Sequence, residues 1–316
     1  MPYISVVTPV YNAVNIVDEL YRRLTETLSR ITSDYEIVMV NDACPFGSGD
    51  KIQEIARKDS KVKYIGLTRN FGQHIAISAG LDYASGEYVV VMDCDLQDPP
   101  DKIPFLLDEL KKSGKCACFA VREKRKEGFL KLFYSKAFNA TMRLLSDKIF
   151  FTNKDSGNFS VIQKKVVNNI RKLKEKNRSY FGLVLWCGFE ILYIPVESQK
   201  RFEGKSAYTF LKSLKYALHV LLQQSVKPLF ISVFFALSSF LVSCAFASLM
   251  LYNHLSGNYD LNDWTSIMFA ISLTSSAIFL TLAVISLYIA NLFEESRNRP
   301  LYVIEHTLNL TEKDVC

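Results

Sequence analysis

The sequence predicts an α/β fold in which a mostly parallel sheet is covered by helices and is followed by two membrane-spanning helices. Three observations support this prediction. Strand-like and helix-like runs alternate over roughly the first 125 residues, polar residues collect where the predicted strands end, and two long stretches near the end of the chain carry no charge. Alternation of this kind is typical of parallel sheets, because the connection between two parallel strands usually contains a helix.

The predicted strands are short apolar runs, and the predicted helices lie between them. We expect strands at residues 4–10, 36–41, 62–67, 88–92 and 116–121. We expect helices at residues 16–30, 49–58, 73–83 and 101–111. Parallel sheets bind ligands beyond the carboxyl ends of their strands. The polar residues that follow the first, second and fourth strands are therefore candidates for a binding site.

Residues 228–252 and 264–293 contain no charged side chain, and each stretch exceeds the ~20 residues that a helix needs to cross a bilayer. A pair of buried core helices is the alternative interpretation. The connecting residues 253–263 include two aspartates but no lysine or arginine, whereas basic residues flank both stretches. The positive-inside rule then places both chain ends and the α/β domain in the cytoplasm.

These patterns divide the chain into six expected segments. They are an α/β domain (1–207), an amphipathic interfacial helix (208–225), a first membrane helix (226–252), an external loop (253–263), a second membrane helix (264–293) and a cytoplasmic tail (294–316). Residues 208–225 show apolar residues at helical spacing punctuated by lysines, which favours a helix lying on the bilayer. An ordinary domain helix is the alternative for that segment.

The formal net charge of +6 is modest for a chain of 316 residues. Such an excess suits anionic lipid or phosphate-bearing substrates as well as nucleic acid. No zinc-finger spacing or RNA-binding motif is present, so we expect no nucleic-acid partner.

The strongest local motif is Asp93-Cys94-Asp95, which follows the apolar run Val89–Met92. Residues i and i+2 at the end of a strand point the same way, so both carboxylates can face one cation. Oxygen ligands suit Mg²⁺ or Mn²⁺, and such an ion can bridge a diphosphate. A solvated turn is the alternative interpretation of a D-x-D motif alone.

With this motif in place, the chain resembles the family 2 glycosyltransferases of the GT-A, Rossmann-like fold. It is most similar to the polyprenyl-phosphate glycosyltransferases, which include dolichyl-phosphate mannose synthases and bacterial GtrB-like and ArnC-like enzymes. The matching stretches are VTPVYN (7–12), VND (40–42), RNFG (69–72), DCDLQDPP (93–100), DSGNF (155–159), RFEGKS (201–206) and NRPLY (298–302). They occur in order over nearly the whole chain.

The resemblance implies roles for individual residues. The expected nucleotide-binding residues are Pro9, Tyr11, Asn12, Asp42 and Cys94. The expected metal ligands are Asp93, Asp95 and Gln97, and the expected phosphate-binding residues are Arg122, Arg201 and Lys205. Guanidinium groups bind phosphate with two parallel hydrogen bonds, which fits this role, although Arg122 also reads as part of a solvated basic loop. Lys205 stands in for a lysine that the family often has where this chain has Ala207.

Asp95 and Asp155 are the expected catalytic residues. The family pattern suggests that Asp155 is a base or a residue that positions the acceptor, while a structural turn is the alternative. A phosphate monoester is already largely dianionic at neutral pH, because its second pKa is near ~6. We therefore expect Asp155 to position the acceptor or a cation rather than to abstract a proton.

The expected reaction is the metal-dependent, inverting transfer of one sugar from a nucleotide-sugar, with UDP favoured over GDP, to polyprenyl phosphate. Two other functions stay open. A processive polysaccharide synthase would typically carry a Gln-x-x-Arg-Trp motif and more membrane spans, and neither is present. A non-catalytic protein that binds nucleotide-sugar would not need the carboxylates. The sequence is compatible with a homo-oligomer.

Overall fold

A computed structural model describes residues 2–122, 156–176, 178–197, 227–256 and 264–310. The described residues form two compact units. The first unit contains the residues up to 197 together with residues 299–310, and the second contains residues 227–256 and 264–298. The predicted interfacial helix at 208–225 lies outside the described residues.

The first unit is built on one eight-stranded sheet. Its strands are β1 (Ile4–Val10), β2 (Tyr35–Asn41), β3 (Val62–Leu67), β4 (Tyr88–Val91), β5 (Ala117–Arg122), β6 (Ser156–Gln163), β7 (Ile191–Val196) and β8 (Ile304–Leu308). Their order across the sheet is β7-β5-β6-β4-β1-β2-β3-β8. The pairs β1–β2, β1–β4, β2–β3 and β5–β7 are parallel, and the other three are antiparallel, so the sheet is mixed with a parallel centre.

The helices of this unit are α1 (Val17–Ser29), α2 (Ser48–Lys58), α3 (Gln73–Tyr83), α4 (Ile103–Ser113), α5 (Lys164–Ile170) and α6 (Tyr180–Trp186), with a 3-10 turn at Pro100–Lys102. Helices α1, α2 and α4 contribute to the apolar core on one face of the sheet, and α3, α5 and α6 contribute to the core on the other. Val6 and Val7 of β1 point to opposite faces, as strand geometry requires. A strand covered on both faces is apolar throughout, which explains why β1 was recognisable in the sequence.

Strand β8 is an element that the sequence analysis did not predict, because residues 294–316 were expected to form a tail. It pairs antiparallel with β3, from Tyr64–Leu308 to Leu67–Ile304. The segment is fixed at both ends. Tyr302 donates a hydrogen bond to Asp82 Oδ2 (2.7 Å), and the Asn309 amide binds the carbonyl oxygens of Ala56 (2.6 Å) and Val62 (2.9 Å). The chain that follows the second apolar stretch is thus part of the α/β sheet.

The second unit contains two long helices, α7 (Lys227–Leu255) and α8 (Trp264–Ser296), which lie side by side. Within the described residues, one helix is long and apolar enough to cross a membrane; its apolar segment is Ala270–Ala290, with a mean hydropathy of 2.0. Helix α7 contains a shorter apolar segment, Ser232–Ala245. The segment in α8 is not buried within the protein, which argues against a soluble core helix.

Candidate functional site

A cavity of about 370 Å³ opens in the first unit where β1, β2 and β4 end. Its lining comes from the loops that follow these strands and from the start of α3, and includes Pro9, Val10, Tyr11, Asp42, Asn70, Gly72, Gln73, Asp93, Cys94 and Asp95. This position is the carboxyl-end crevice that a parallel sheet offers to ligands.

Asp42 is a deeply buried acidic residue in the lining of the cavity, with 3% of its surface exposed. One carboxylate oxygen accepts a hydrogen bond from the Phe71 backbone N–H (2.7 Å), and the other accepts one from the Gly72 backbone N–H (2.9 Å). Burial raises the pKa of Asp42, and these two hydrogen bonds oppose the rise. Asp42 therefore fixes the loop that precedes α3.

Asp93 also lines the cavity and is only partly buried. Its Oδ1 atom accepts hydrogen bonds from two side-chain amides, Gln73 Nε2 at 2.6 Å and Asn158 Nδ2 at 3.0 Å. These donors come from α3 and β6, so the carboxylate joins three separate stretches of the chain.

Asp95 lies in a tight turn directly after Asp93. Its Oδ1 accepts a hydrogen bond from the Gln97 backbone N–H (3.1 Å), and the intervening Leu96 has a φ of +57°, a left-handed conformation that is uncommon for leucine. Burial, followed by the charges of the two neighbouring aspartates, raises the pKa of the Cys94 thiol to about 12. Cys94 is thus a neutral thiol near pH 7.

Tyr11 gives the cavity an aromatic rim and is 45% exposed. The next residue, Asn12, has a φ of +52°, and its backbone N–H donates to Cys44 Sγ (3.2 Å). Cys44 Sγ also lies 3.3 Å from the hydroxyl oxygen of Ser48, the first residue of α2. Burial alone would raise the pKa of Cys44, but hydrogen bonds from Ser48 and from backbone N–H groups outweigh it and lower the pKa.

The structure brings six of the predicted site residues around one cavity, namely Pro9, Tyr11, Asp42, Asp93, Cys94 and Asp95. Two described candidates are outside the lining: Asn12 directly follows the lining residue Tyr11, and Gln97 lies two residues after the lining residue Asp95. Arg122 ends β5, and its side chain is outside the described part of the structure. Asp155, Arg201 and Lys205 also lie outside the described residues.

Sequence reasoning did not assign roles to Asn70, Gly72, Gln73 or Asn158, although all four fall in or beside the RNFG and DSGNF stretches. Their presence in these stretches was the available signal. The sequence did not show which carboxylate each stretch contacts in the folded chain.

The carboxylates of Asp93 and Asp95 fit a hard divalent cation. Within the part of the chain that the structure describes, no group of three or more His, Cys, Asp or Glu side chains is placed to hold a metal ion. Mg²⁺ is commonly bound through one or two carboxylates together with substrate phosphates. The donor set therefore suits an ion that the phosphates of a nucleotide help to coordinate rather than a fully protein-enclosed one.

Comparison with known proteins identifies related chains over the full length. The sequence profile of glycosyl transferase family 2 matches residues 5–171. An uncharacterized glycosyltransferase, YkcC of Bacillus subtilis (strain 168), is 34% identical over 98% of this chain and 95% of its own. A bactoprenol glucosyl transferase of Shigella phage SfV is 27% identical over 96% of this chain and 98% of its own.

An undecaprenyl-phosphate 4-deoxy-4-formamido-L-arabinose transferase of Edwardsiella ictaluri (strain 93-146) is 28% identical over 99% of this chain and 96% of its own. Among solved structures, a mannosyltransferase from Pyrobaculum calidifontis in complex with GDP-Man and Mn²⁺ aligns with a TM-score of 0.45 and 13% identity. That alignment covers 94% of this chain and 76% of the mannosyltransferase.

Proposed function

Because the chain belongs to glycosyl transferase family 2 and is a glycosyltransferase, we propose that it transfers a single sugar from a nucleotide-sugar to polyprenyl phosphate at the cytoplasmic face of a membrane. Relatives that match nearly its whole length are named for transfer to bactoprenol and to undecaprenyl phosphate. A UDP-sugar is the favoured donor, and undecaprenyl phosphate is the favoured acceptor.

One observation carries the proposal: Asp93 and Asp95 line the same cavity as Tyr11 and Asp42, at the carboxyl end of the parallel strands. Two carboxylates beside an aromatic rim suit a molecule that has a flat base at one end and a diphosphate at the other. Pro9 and Tyr11 offer the apolar surface for the nucleoside, while Asp42 holds the loop that closes this side of the cavity.

Asp93 and Asp95, with Gln97, would hold the divalent ion, Mg²⁺ or Mn²⁺. When bound, the ion neutralises charge that develops on the departing diphosphate. Arg122, Arg201 and Lys205 would supply further positive charge to the phosphates.

The reaction forms a bond between a phosphate oxygen of the acceptor and C1 of the sugar, and it breaks the bond between C1 and the diphosphate oxygen of the donor. The nucleoside diphosphate leaves with the electron pair, and the configuration at C1 inverts. Asp155 would position the acceptor, which needs no deprotonation because its phosphate is largely dianionic at neutral pH. The acceleration would come mainly from alignment and charge stabilisation.

The topology of the chain supports two membrane crossings. Strand β8 follows α8 in sequence and pairs with β3, so Leu67 and Ile304 lie on one side of any membrane. An even number of crossings must therefore separate them. If α8 crosses once, α7 is the described helix that can supply the second crossing, since its 29 residues extend about 44 Å against a hydrocarbon core of about 30 Å.

Sealed inside-out membrane vesicles from a bacterial host that expresses the chain provide the test. Nucleotide-sugars do not cross the bilayer, so we expect transfer to undecaprenyl phosphate in inside-out vesicles and not in intact right-side-out vesicles. A panel of UDP- and GDP-sugars, with mass spectrometry of the lipid product, identifies the sugar and its number. A Ser256→Cys variant should react with an impermeant maleimide from the outer side, because Ser256 follows α7.

Two variants make the test specific to the site. Asp95→Ala should abolish transfer, whereas Asp101→Ala removes an exposed aspartate from the nearby 3-10 turn and should retain it. Turnover by Asp95→Ala close to that of the wild type would defeat the ion site. A product that carries many sugars would indicate a processive synthase, and no product from any donor would defeat transferase activity toward this acceptor.

A further inference from the structure

Two amide side chains converge on a single oxygen of Asp93. Gln73 Nε2 lies 2.6 Å from Asp93 Oδ1, and Asn158 Nδ2 lies 3.0 Å from the same atom. The donors are 20 and 65 residues from Asp93 in sequence. The convergence is therefore a product of the fold and not of a local turn.

The backbone holds each donor in place independently. Gln73 is the first residue of α3, and the N–H of the preceding Gly72 is bound to Asp42. On the other side, β6 pairs antiparallel with β4, with Val91 opposite Ser160. Continuing that register by two residues puts Asn158 opposite Asp93.

The backbone of Asn158 is anchored in turn by buried groups. The hydroxyl of Ser160 donates to the Asn158 carbonyl oxygen (3.0 Å) and lies 2.7 Å from the hydroxyl of Tyr180. Ser160 and Tyr180 are both almost completely buried. An amide that extends from such a rigid support presents its N–H in one direction.

Two N–H donors on one carboxylate oxygen fix the rotation of the carboxylate. Carboxylates that bind metal ions are typically held by such outer partners, and loss of a partner typically weakens metal binding by about 10- to 100-fold.

We propose that Gln73 and Asn158 are positioning residues that hold Asp93 Oδ1 and thereby orient the Asp93 carboxylate toward the divalent ion. This inference rests on the proposed function, in which Asp93 and Asp95 hold that ion. It gives the RNFG-Gln73 and DSGNF stretches one shared task, which is to orient the first aspartate of the D-x-D motif.

The test measures Mn²⁺ binding directly and does not depend on turnover. MnCl₂ is titrated into the full-length protein in detergent at a fixed, saturating concentration of UDP, because the phosphates of a nucleotide help to coordinate the ion. Free Mn²⁺ is followed by its electron paramagnetic resonance signal. Gln73→Ala and Asn158→Ala should each weaken Mn²⁺ binding by about 10- to 100-fold. Gln163→Ala is the matched control, because Gln163 also lies on β6 but donates its amide to the Lys115 carbonyl oxygen (3.1 Å); its affinity should stay within about twofold of the wild type.

The outcomes separate this inference from the proposed function. If Asp93→Ala weakens Mn²⁺ binding but both amide variants bind it like the wild type, the positioning role is overturned and the ion site stands. If the wild type binds no Mn²⁺ above the level of Asp93→Ala, the ion site itself is overturned. Thermal unfolding of each variant checks its folding, and Gln73→Ala keeps the test decisive because Gln73 is exposed.

Discussion

Asp42 and Asp93 hold similar positions relative to the strands that precede them, but their surroundings differ. Asp42 follows β2 and Asp93 follows β4, so each carboxylate lies at the carboxyl end of a parallel strand. Asp42 is 3% exposed and accepts hydrogen bonds from backbone N–H groups, whereas Asp93 is partly exposed and accepts them from side-chain amides. The first carboxylate builds the cavity, and the second is presented to a ligand.

The kind of donor explains this difference. A backbone N–H has no freedom to move away, so a buried carboxylate that serves two of them is a structural part of the loop. A side-chain amide at a partly exposed position can orient a carboxylate without burying it, so the carboxylate can still face a ligand. The Asp42 carboxylate therefore serves the stability of the fold, and the Asp93 carboxylate serves ligand binding.

The largest expected effect comes from removing each of the two carboxylates in turn. Asp42→Ala leaves two backbone N–H groups without their charged acceptor and should lower the free energy of unfolding by about 3 kcal/mol. Asp93→Ala removes the acceptor of the Gln73 and Asn158 amides, which water can reach, so the free energy of unfolding should change by less than about 1 kcal/mol. The same variant should lose transfer activity. Chemical denaturation and the vesicle assay measure the two quantities.

The pH dependence of the free energy of unfolding is a second way to compare Asp42 with Asp93. Because burial raises the folded-state pKa of Asp42, the folded protein holds that proton more tightly than the unfolded chain does. This contribution to stability is present below the ordinary carboxyl pKa and is lost as the pH rises through the raised value. In the Asp42→Ala variant, the free energy of unfolding should not show this decrease with rising pH. Equal stability of the two alanine variants at all pH values would contradict the assigned division of roles.

A second prediction compares the two cysteines that closely follow these aspartates in sequence, Cys44 after Asp42 and Cys94 after Asp93. Hydrogen bonds lower the pKa of Cys44, whereas burial raises the pKa of Cys94 to about 12. Since the thiolate is the reactive form, iodoacetamide near pH 8 should modify Cys44 at least about tenfold faster than Cys94. Peptide mass spectrometry over a time course measures both rates.

Unfolding supplies the control for this measurement. In denaturant the two thiols lose their environments, so their alkylation rates should converge. The rate at Cys44 in the folded protein should fall when the pH drops below its lowered pKa, because the thiolate is then protonated. Preferential modification of Cys94 in the folded protein would show that the D-x-D corner is open rather than closed around its thiol.

The central part of the fold could be predicted from sequence because its elements have strong periodicity. Strands β1 to β5 and helices α1 to α4 all lie within about two residues of their predicted bounds. Strands β6, β7 and β8 were missed for physical reasons. β7 contains a proline, and β8, with the sequence IEHTL, is a partly polar edge strand whose pairing depends on β3, more than 200 residues earlier.

The same limit applies to the cavity. The carboxylates at 42, 93 and 95 were predictable, because a polar residue after a buried strand is a local signal. The amides of Gln73 and Asn158 were not assigned, because nothing near either residue in sequence shows that both meet Asp93. Local patterns identify the groups that carry charge, and only the folded chain shows which neutral groups orient them.

The last prediction concerns the loop that Asp42 holds through the Gly72 backbone N–H. Gly72 has φ +97° and ψ 154°, a region that is nearly exclusive to glycine, and no atom lies within 4 Å of where a Cβ would be. Gly114, at the end of α4, has φ +66° and ψ 4°, and its Cβ position is equally open. The two glycines therefore differ in backbone conformation and in distance from the site, but not in steric crowding.

Gly114→Ala should lower the free energy of unfolding by about 1 kcal/mol, the ordinary cost of a left-handed conformation. Gly72→Ala should lower it by about 1 kcal/mol more, because its backbone conformation is less accessible to alanine. Only Gly72→Ala should also weaken nucleotide binding, since the strained loop moves its N–H away from Asp42. Chemical denaturation and calorimetric titration with UDP and GDP measure the two effects; equal losses of nucleotide binding in both variants would mean that the loop at Gly72 has no special connection to the cavity.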